Sequence, residues 1–177
     1  MCVCVRALVC ACTRACADAE STQLADLHAL ATAFPDTTIV LNHAGCPAGG
    51  LGSDAAKAEA IMAQWKADMT RIALECPNVS VKVGGWGIPQ LRHGLDQRKA
   101  LADSLEVAAL FREPYLWVVR TFGAGRCMFE GNFPVDKVSM SYTVVWNAFK
   151  RMTVEAGVAD ADRALLFGGT ARRVYRL

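Results

Sequence analysis

The feature that most constrains this chain is a unit that returns three times: helical sequence, then a short unbroken run of β-favouring residues stopping at a glycine or polar turn. Leu24, Leu27, Leu30, Ala31 and Phe34 repeat at helical spacing, with Ser21 or Thr22 as N-cap and Pro35 as the stop. They lead into Thr37-Thr38-Ile39-Val40-Leu41-Asn42, which ends at His43-Ala44-Gly45. Ser53 opens a second helix with a buried stripe of Ala58, Ile61, Met62, Trp65, Met69 and Ile72. Cys76-Pro77-Asn78 turns that helix into Val79-Ser80-Val81-Lys82-Val83, ending at Gly84-Gly85. Two helices, one marked by Leu101, Leu105, Ala108 and Ala109 and one started by Pro114, precede Cys127-Met128-Phe129. A helix with Val145, Phe149 and Met152, and a last one from Asp160, close the chain.

Continuous apolar strands are covered on both faces, so the pattern predicts an α/β protein with a parallel sheet. Three such runs are too few to close a barrel of eight strands, and an unclosed part carries two hydrogen-bonding edges. The chain therefore reads as a piece of a larger architecture, with association through exposed sheet edges or a homo-oligomer as an expectation.

Charge excludes two partner classes. A formal net charge of +2 over 177 residues gives no electrostatic reason for nucleic acid or an anionic membrane as a partner. No apolar run approaches the roughly 20 residues that span a bilayer. Residues 1–20 stand apart as a Cys-rich leader, with Cys2, Cys4, Cys10, Cys12 and Cys16 crowded together, and residues 21–177 form the single domain. The leader has no basic start, and Arg6 and Arg14 interrupt its apolar run, which argues against a secretory signal. An organellar transit peptide is the second reading of it. The crowded cysteines lack paired CxxC motifs and a nearby histidine, so they make a poor zinc site. Cys46, Cys76 and Cys127 stand alone, as reduced thiols do, and a cytoplasmic location is expected.

Three passages and the chain's end together resemble the amidohydrolase-related (amidohydrolase 2) family of metal-dependent hydrolases. They are residues 34–45 (FPDTTIVLNHAG), 77–85 (PNVSVKVGG), 122–136 (FGAGRCMFEGNFPVD) and 166–177 (LFGGTARRVYRL). The resemblance runs from about residue 22 to 177 and implies the C-terminal part of a (β/α)8 TIM barrel, about strands 5 to 8. The three visible strands would be the fifth, sixth and eighth. It further implies hydrolysis of a small carboxylated or sugar-derived lactone, or, in some relatives, decarboxylation. Many members hold a divalent metal, Zn or Mn, through a His-x-His pair on the first strand, a histidine on the fifth and an aspartate on the eighth. Here the histidines are His28, His43 and His93, no His-x-His pair occurs, and Asn132 stands where most members carry aspartate.

Within that frame His43, just past a strand, is the candidate to polarise a substrate carbonyl or hold the metal, against the plainer reading of a loop-bonded histidine. Asn132 is the candidate to orient water or donate to an oxyanion, or else is a turn asparagine. Lys82, Trp86 and Arg126 are expected to bind substrate, Lys82 and Arg126 by charge and Trp86 as pocket wall. Glu130 shares the strand parity of Asn132 and is expected to face the interior, paired with Lys82 across the barrel. Asp136 reads as a cap, with a catalytic carboxylate as the alternative. His28 reads as a helix spacer and His93 as an exposed loop residue. A second reading of the chain is a non-catalytic truncated fragment of such an enzyme.

Overall fold

A computed structural model describes residues 14–17, 21–47 and 54–177. Four parallel strands form one sheet in chain order: β1 (Arg14–Ala17), β2 (Thr38–Leu41), β3 (Val79–Gly84) and β4 (Cys127–Glu130). Register is continuous, with Cys16 opposite Val40, Val40 opposite Ser80, and Lys82 opposite Met128. Helices connect the strands, as parallel pairing requires. They are α1 (Leu24–Ala33), α2 (Ala55–Glu75), α3 (Ser104–Phe122), α4 (Tyr142–Glu155), α5 (Asp160–Ala164) and α6 (Thr170–Tyr175).

The three expected strands are present, and a fourth was not foreseen. Arg14–Ala17, inside the segment set apart as a leader, pairs along β2. Its Arg-Ala-Cys-Ala sequence has no β-branched or aromatic residue, so propensity gives no sign of it. Cys2, Cys4, Cys10 and Cys12 lie outside the described residues. The numbering of the strands is corrected too. β3 and β4 hydrogen-bond directly, with no strand between them, so they are neighbours rather than sixth and eighth.

The sheet's two faces differ. Ile39, Leu41, Val79, Val81, Val83, Cys127 and Phe129 point to the main core, where Trp65, Met69, Ile72, Phe111, Val118, Phe149 and Met152 from the helices cover them. The opposite face carries Val40 and Met128, covered by Val174 of α6. Ser80, Lys82 and Glu130 alternate onto that second face.

Helix boundaries shift for local reasons. Asp54 caps α2, accepting from Lys57 N–H at 2.9 Å, one residue beyond Ser53. The two helices expected around Pro114 are one, opened by a reciprocal capping box between Asp103 and Glu106. Pro114 sits inside it, where it removes one ladder hydrogen bond. Burial of Phe111, Tyr115, Val118 and Phe122 on one side holds the helix across that gap, while Leu101 and Leu105 are exposed. Among the described residues no helix is long and apolar enough to cross a membrane.

Candidate active site

Because β2, β3 and β4 run parallel and end side by side, His43, Gly85–Gly87 and Glu130–Asn132 share one end of the sheet. His43 is at its centre. Its backbone is left-handed, at φ 54° and ψ 31°, and Ala44 follows at φ 49°. Such a conformation is costly for residues with a Cβ and persists only when neighbours enforce it.

Two buried indoles enforce it here. Trp86 Nε1 donates to the His43 carbonyl and Trp65 Nε1 to the Ala44 carbonyl, each at 2.8 Å. The two rings meet edge to face, 5.6 Å between centroids. Gly85, at φ 77°, passes beneath the imidazole, and a Cβ there would lie 2.2 Å from His43 Nδ1. A side chain at position 85 would displace the ring.

Glu130 completes the hold. Its Oε1 accepts from the His43 backbone N–H at 3.0 Å and lies 2.7 Å from His43 Nδ1. Its other oxygen is 3.9 Å from Lys82 Nζ, the pair expected from strand parity. Lys82 also sits over the Tyr175 ring, 5.9 Å from its centroid. A carboxylate only 13% exposed is thus matched by an amide, an imidazole and an ammonium, which offsets the cost of burying its charge. Pairing of Nδ1 with a carboxylate assigns the ring proton to Nδ1 and the neutral ring's lone pair to Nε2.

Asn132 is also left-handed, at φ 44°. Its Nδ2 donates to Asp136 Oδ1 at 2.7 Å, while Asp136 Oδ2 accepts from Gly87 N–H at 3.1 Å. Asp136 is 2% exposed, and burial pushes its carboxyl up to about 6 in spite of those two hydrogen bonds. It does not serve as the cap that its position predicts. It fixes the Asn132 amide and ties the loop after β3 to the loop after β4. Gly87 has no room for a Cβ, which would come 2.9 Å from the Asp136 carboxyl carbon.

Two expectations are corrected by these positions. Trp86 is not a pocket wall: it is 1% exposed, and its indole N–H is spent on His43. Arg126 does not face the site. It precedes β4, and its guanidinium donates to the carbonyls of Ala73 (2.8 Å), Cys76 (3.2 Å) and Phe122 (3.1 Å), at the C-terminal ends of α2 and α3. A cation suits those carbonyl ends and serves packing rather than substrate there. Among the described residues no three His, Cys, Asp or Glu side chains converge, and the Lys82 ammonium lies beside the one carboxylate that meets His43. These residues by themselves do not fit a divalent ion.

The other histidines differ from expectation as well. His28 is buried and bridges Glu75 and Arg71, each at 2.7 Å, joining α1 to α2. His93 packs on Phe111 with ring centroids 4.9 Å apart, and burial pushes its pKa down to about 4. Cys76 and Cys127 are free thiols, and burial holds Cys127 up at about 12, far from a reactive thiolate. Trp65 had only a core role in the sequence reading. Its tie to Ala44 links residues 21 apart in sequence and has no local signal.

A profile of the amidohydrolase family matches residues 7–177. The chain belongs to the amidohydrolase family. An uncharacterized protein of Sinorhizobium fredii is 31% identical over 155 residues, covering 88% of this chain and 44% of its own length. L-fucono-1,5-lactonase of Burkholderia multivorans is 31% identical over 158 residues, covering 88% and 48%. Among solved structures, an amidohydrolase of Burkholderia multivorans crystallised with HEPES superimposes with a TM-score of 0.73 at 28% identity, over 89% of this chain and 51% of the other. A second crystal form of such an amidohydrolase, with bound Zn, gives 0.71 at 28% identity, over 89% and 50%. This member of the amidohydrolase family spans about half the length of the relatives it matches.

Proposed function

We propose that this amidohydrolase-family chain carries the hydrolytic end of a lactonase-like site, acting on a small carboxylated or sugar-derived lactone within a (β/α)8 barrel. The observation that supports it most is the buried Glu130 carboxylate gripping both the backbone and Nδ1 of His43 at the C-terminal ends of the strands. In this reading Nε2 of His43 takes the proton of the attacking water, and Glu130 orients the ring and stabilises the imidazolium that forms. Asn132, held by Asp136, orients that water or the substrate. Lys82 balances the charge of a substrate carboxylate.

The sugar-lactone preference rests on the resemblance to the L-fucono-1,5-lactonase. A panel of sugar-derived and aliphatic lactones, followed by acid release at constant pH, tests it with the wild-type chain and His43→Ala. Turnover that depends on His43 is expected, and equal turnover by both removes His43 from the reaction. A second reading, that this chain alone is a non-catalytic portion of such an enzyme, is favoured by its span of half the relatives' length. Under it, the chain alone opens no lactone in the panel, while His43 and Glu130 remain paired. Decarboxylation in the same site is distinguished by release of carbon dioxide.

A further inference from the structure

At the other end of the strands, away from His43, the second face of the sheet opens into a cavity of about 280 Å³. It is lined by Thr38 and Ser80 from the starts of β2 and β3, Asn78 from the turn before β3, and Arg126, Arg173 and Arg176. Register brings the first group together. Val40 pairs with Ser80, Val81 pairs with Cys127, and Arg126 immediately precedes β4, so three adjacent strand starts contribute side by side. α6 crosses over them, with Val174 packed on Val40 and Met128, and delivers the other two guanidiniums.

Two features make this more than a basic surface. Among the described residues no Asp or Glu lines the cavity, so three arginines border one space without an acidic side chain beside them. Ser80 is 6% exposed, and its hydroxyl has no hydrogen-bond partner among the described residues, although it borders the cavity. That hydroxyl opens onto the cavity and is available to a group bound there. Arg126 spends one N–H from each of its three nitrogens on carbonyls, and a guanidinium has five. Two remain, on a group already held rigid by the ends of α2 and α3. Arg173 is steadied in the same way by a hydrogen bond to the Gly125 carbonyl.

We propose that this cavity is a binding site for a small phosphate-type oxyanion, distinct from the His43 site and at the opposite end of the sheet. The Ser80 hydroxyl and the remaining Arg126 N–H groups would donate to its oxygens from the sheet side. Arg173 and Arg176 would close over it from α6, giving the planar, forked contacts that guanidiniums make with phosphate. Its volume lies at the lower end of the range for small-ligand sites, which fits a single phosphate or a short ester rather than a nucleotide. Seating the anion would also fasten α6 to the sheet, because its partners come from both.

Calorimetric titration of the full chain with inorganic phosphate, against potassium chloride at matched ionic strength, tests the site. Saturable heat with phosphate and none with chloride is expected, together with a raised melting temperature. Ser80→Ala and Arg176→Gln, neither of which removes a hydrogen bond seen in the fold, should each weaken binding about tenfold or more. Their melting temperatures in chloride show whether they are folded. Glycerol phosphate run in parallel identifies the source: equal affinity means free phosphate suffices, and tighter binding means a phosphate ester is the ligand. Absence of saturable heat in the wild type, equal effects of phosphate and chloride, or unchanged affinity in both folded variants would overturn the proposal.

Discussion

One oxygen of Glu130 meets His43 twice, at 3.0 Å from its backbone N–H and 2.7 Å from its Nδ1. The carboxylate therefore sets both the left-handed turn that presents the imidazole and the direction in which the imidazole points. Orientation and backbone conformation thus share one side chain at the end of β4, which acts together with the Trp86 and Trp65 indoles on the His43 and Ala44 carbonyls.

Replacing Glu130 tests that dependence. Glu130→Gln keeps the shape but removes the charge that Lys82 and His43 meet, leaving the 25%-exposed Lys82 side chain without its carboxylate. Breaking a largely buried charge cluster of this kind costs about 1–3 kcal/mol. Urea unfolding should show a loss of that size, and a change below roughly 0.5 kcal/mol, the level of a surface substitution, would remove the pair from the account.

Gly85 offers an independent check on the imidazole's position. An alanine Cβ would meet Nδ1 at 2.2 Å, and the backbone there has φ 77°, where residues with a Cβ are strained. Gly85→Ala is expected to destabilise by about 1–3 kcal/mol and to alter the His43 ring resonances in an NMR spectrum. Unchanged ring resonances in a folded variant would mean that the glycine does not support the ring.

Arg126 shows what sequence position alone leaves open. It lies next to a strand and so looks available to substrate, but it lies at the strand's start, and chemistry on parallel sheets gathers at the other end. Since its guanidinium binds three helix-end carbonyls, Arg126→Ala should lower stability by about 2–4 kcal/mol through lost charge-assisted hydrogen bonds. A melting curve indistinguishable from wild type would contradict that role.

The legible parts share a local cause. β2 and β3 were readable because Thr38-Ile39-Val40-Leu41 and Val79–Val83 are dense in β-branched residues, β4 because Cys127-Met128-Phe129 is an unbroken apolar run between glycines, and Glu130 met Lys82 because alternation puts both on one face. β1 was not readable: its residues have no strand preference, and it is ordered by pairing with β2. α3 was read as two helices because Pro114 is a local breaker, whereas the burial that carries the helix through it is tertiary. His43 and Asn132 were singled out by their places after strands. The indoles that hold His43 and Ala44 were not, since no spacing rule places Trp65 or Trp86 against those carbonyls.

Asp136 carries the pH dependence. Its carboxyl rises from an ordinary 3.8 to about 6 in the folded protein, chiefly through burial. A raised carboxyl favours the protonated form, so its contribution to stability is fully present below about pH 3.8. As pH rises the unfolded chain ionises first and stability falls, until the folded carboxyl also ionises near pH 6 and the curve flattens. A shift of about two units corresponds to roughly 3 kcal/mol. Asp136→Asn cannot ionise, and any hydrogen bond it loses is a constant offset at every pH. The difference between wild-type and Asp136→Asn unfolding free energies, measured from pH 4 to pH 7, should therefore move against the wild type by roughly 3 kcal/mol, while all other carboxylates cancel. Parallel curves would mean that Asp136 is better solvated than its 2% exposure implies, and the opposite slope would mean that its two hydrogen bonds outweigh burial.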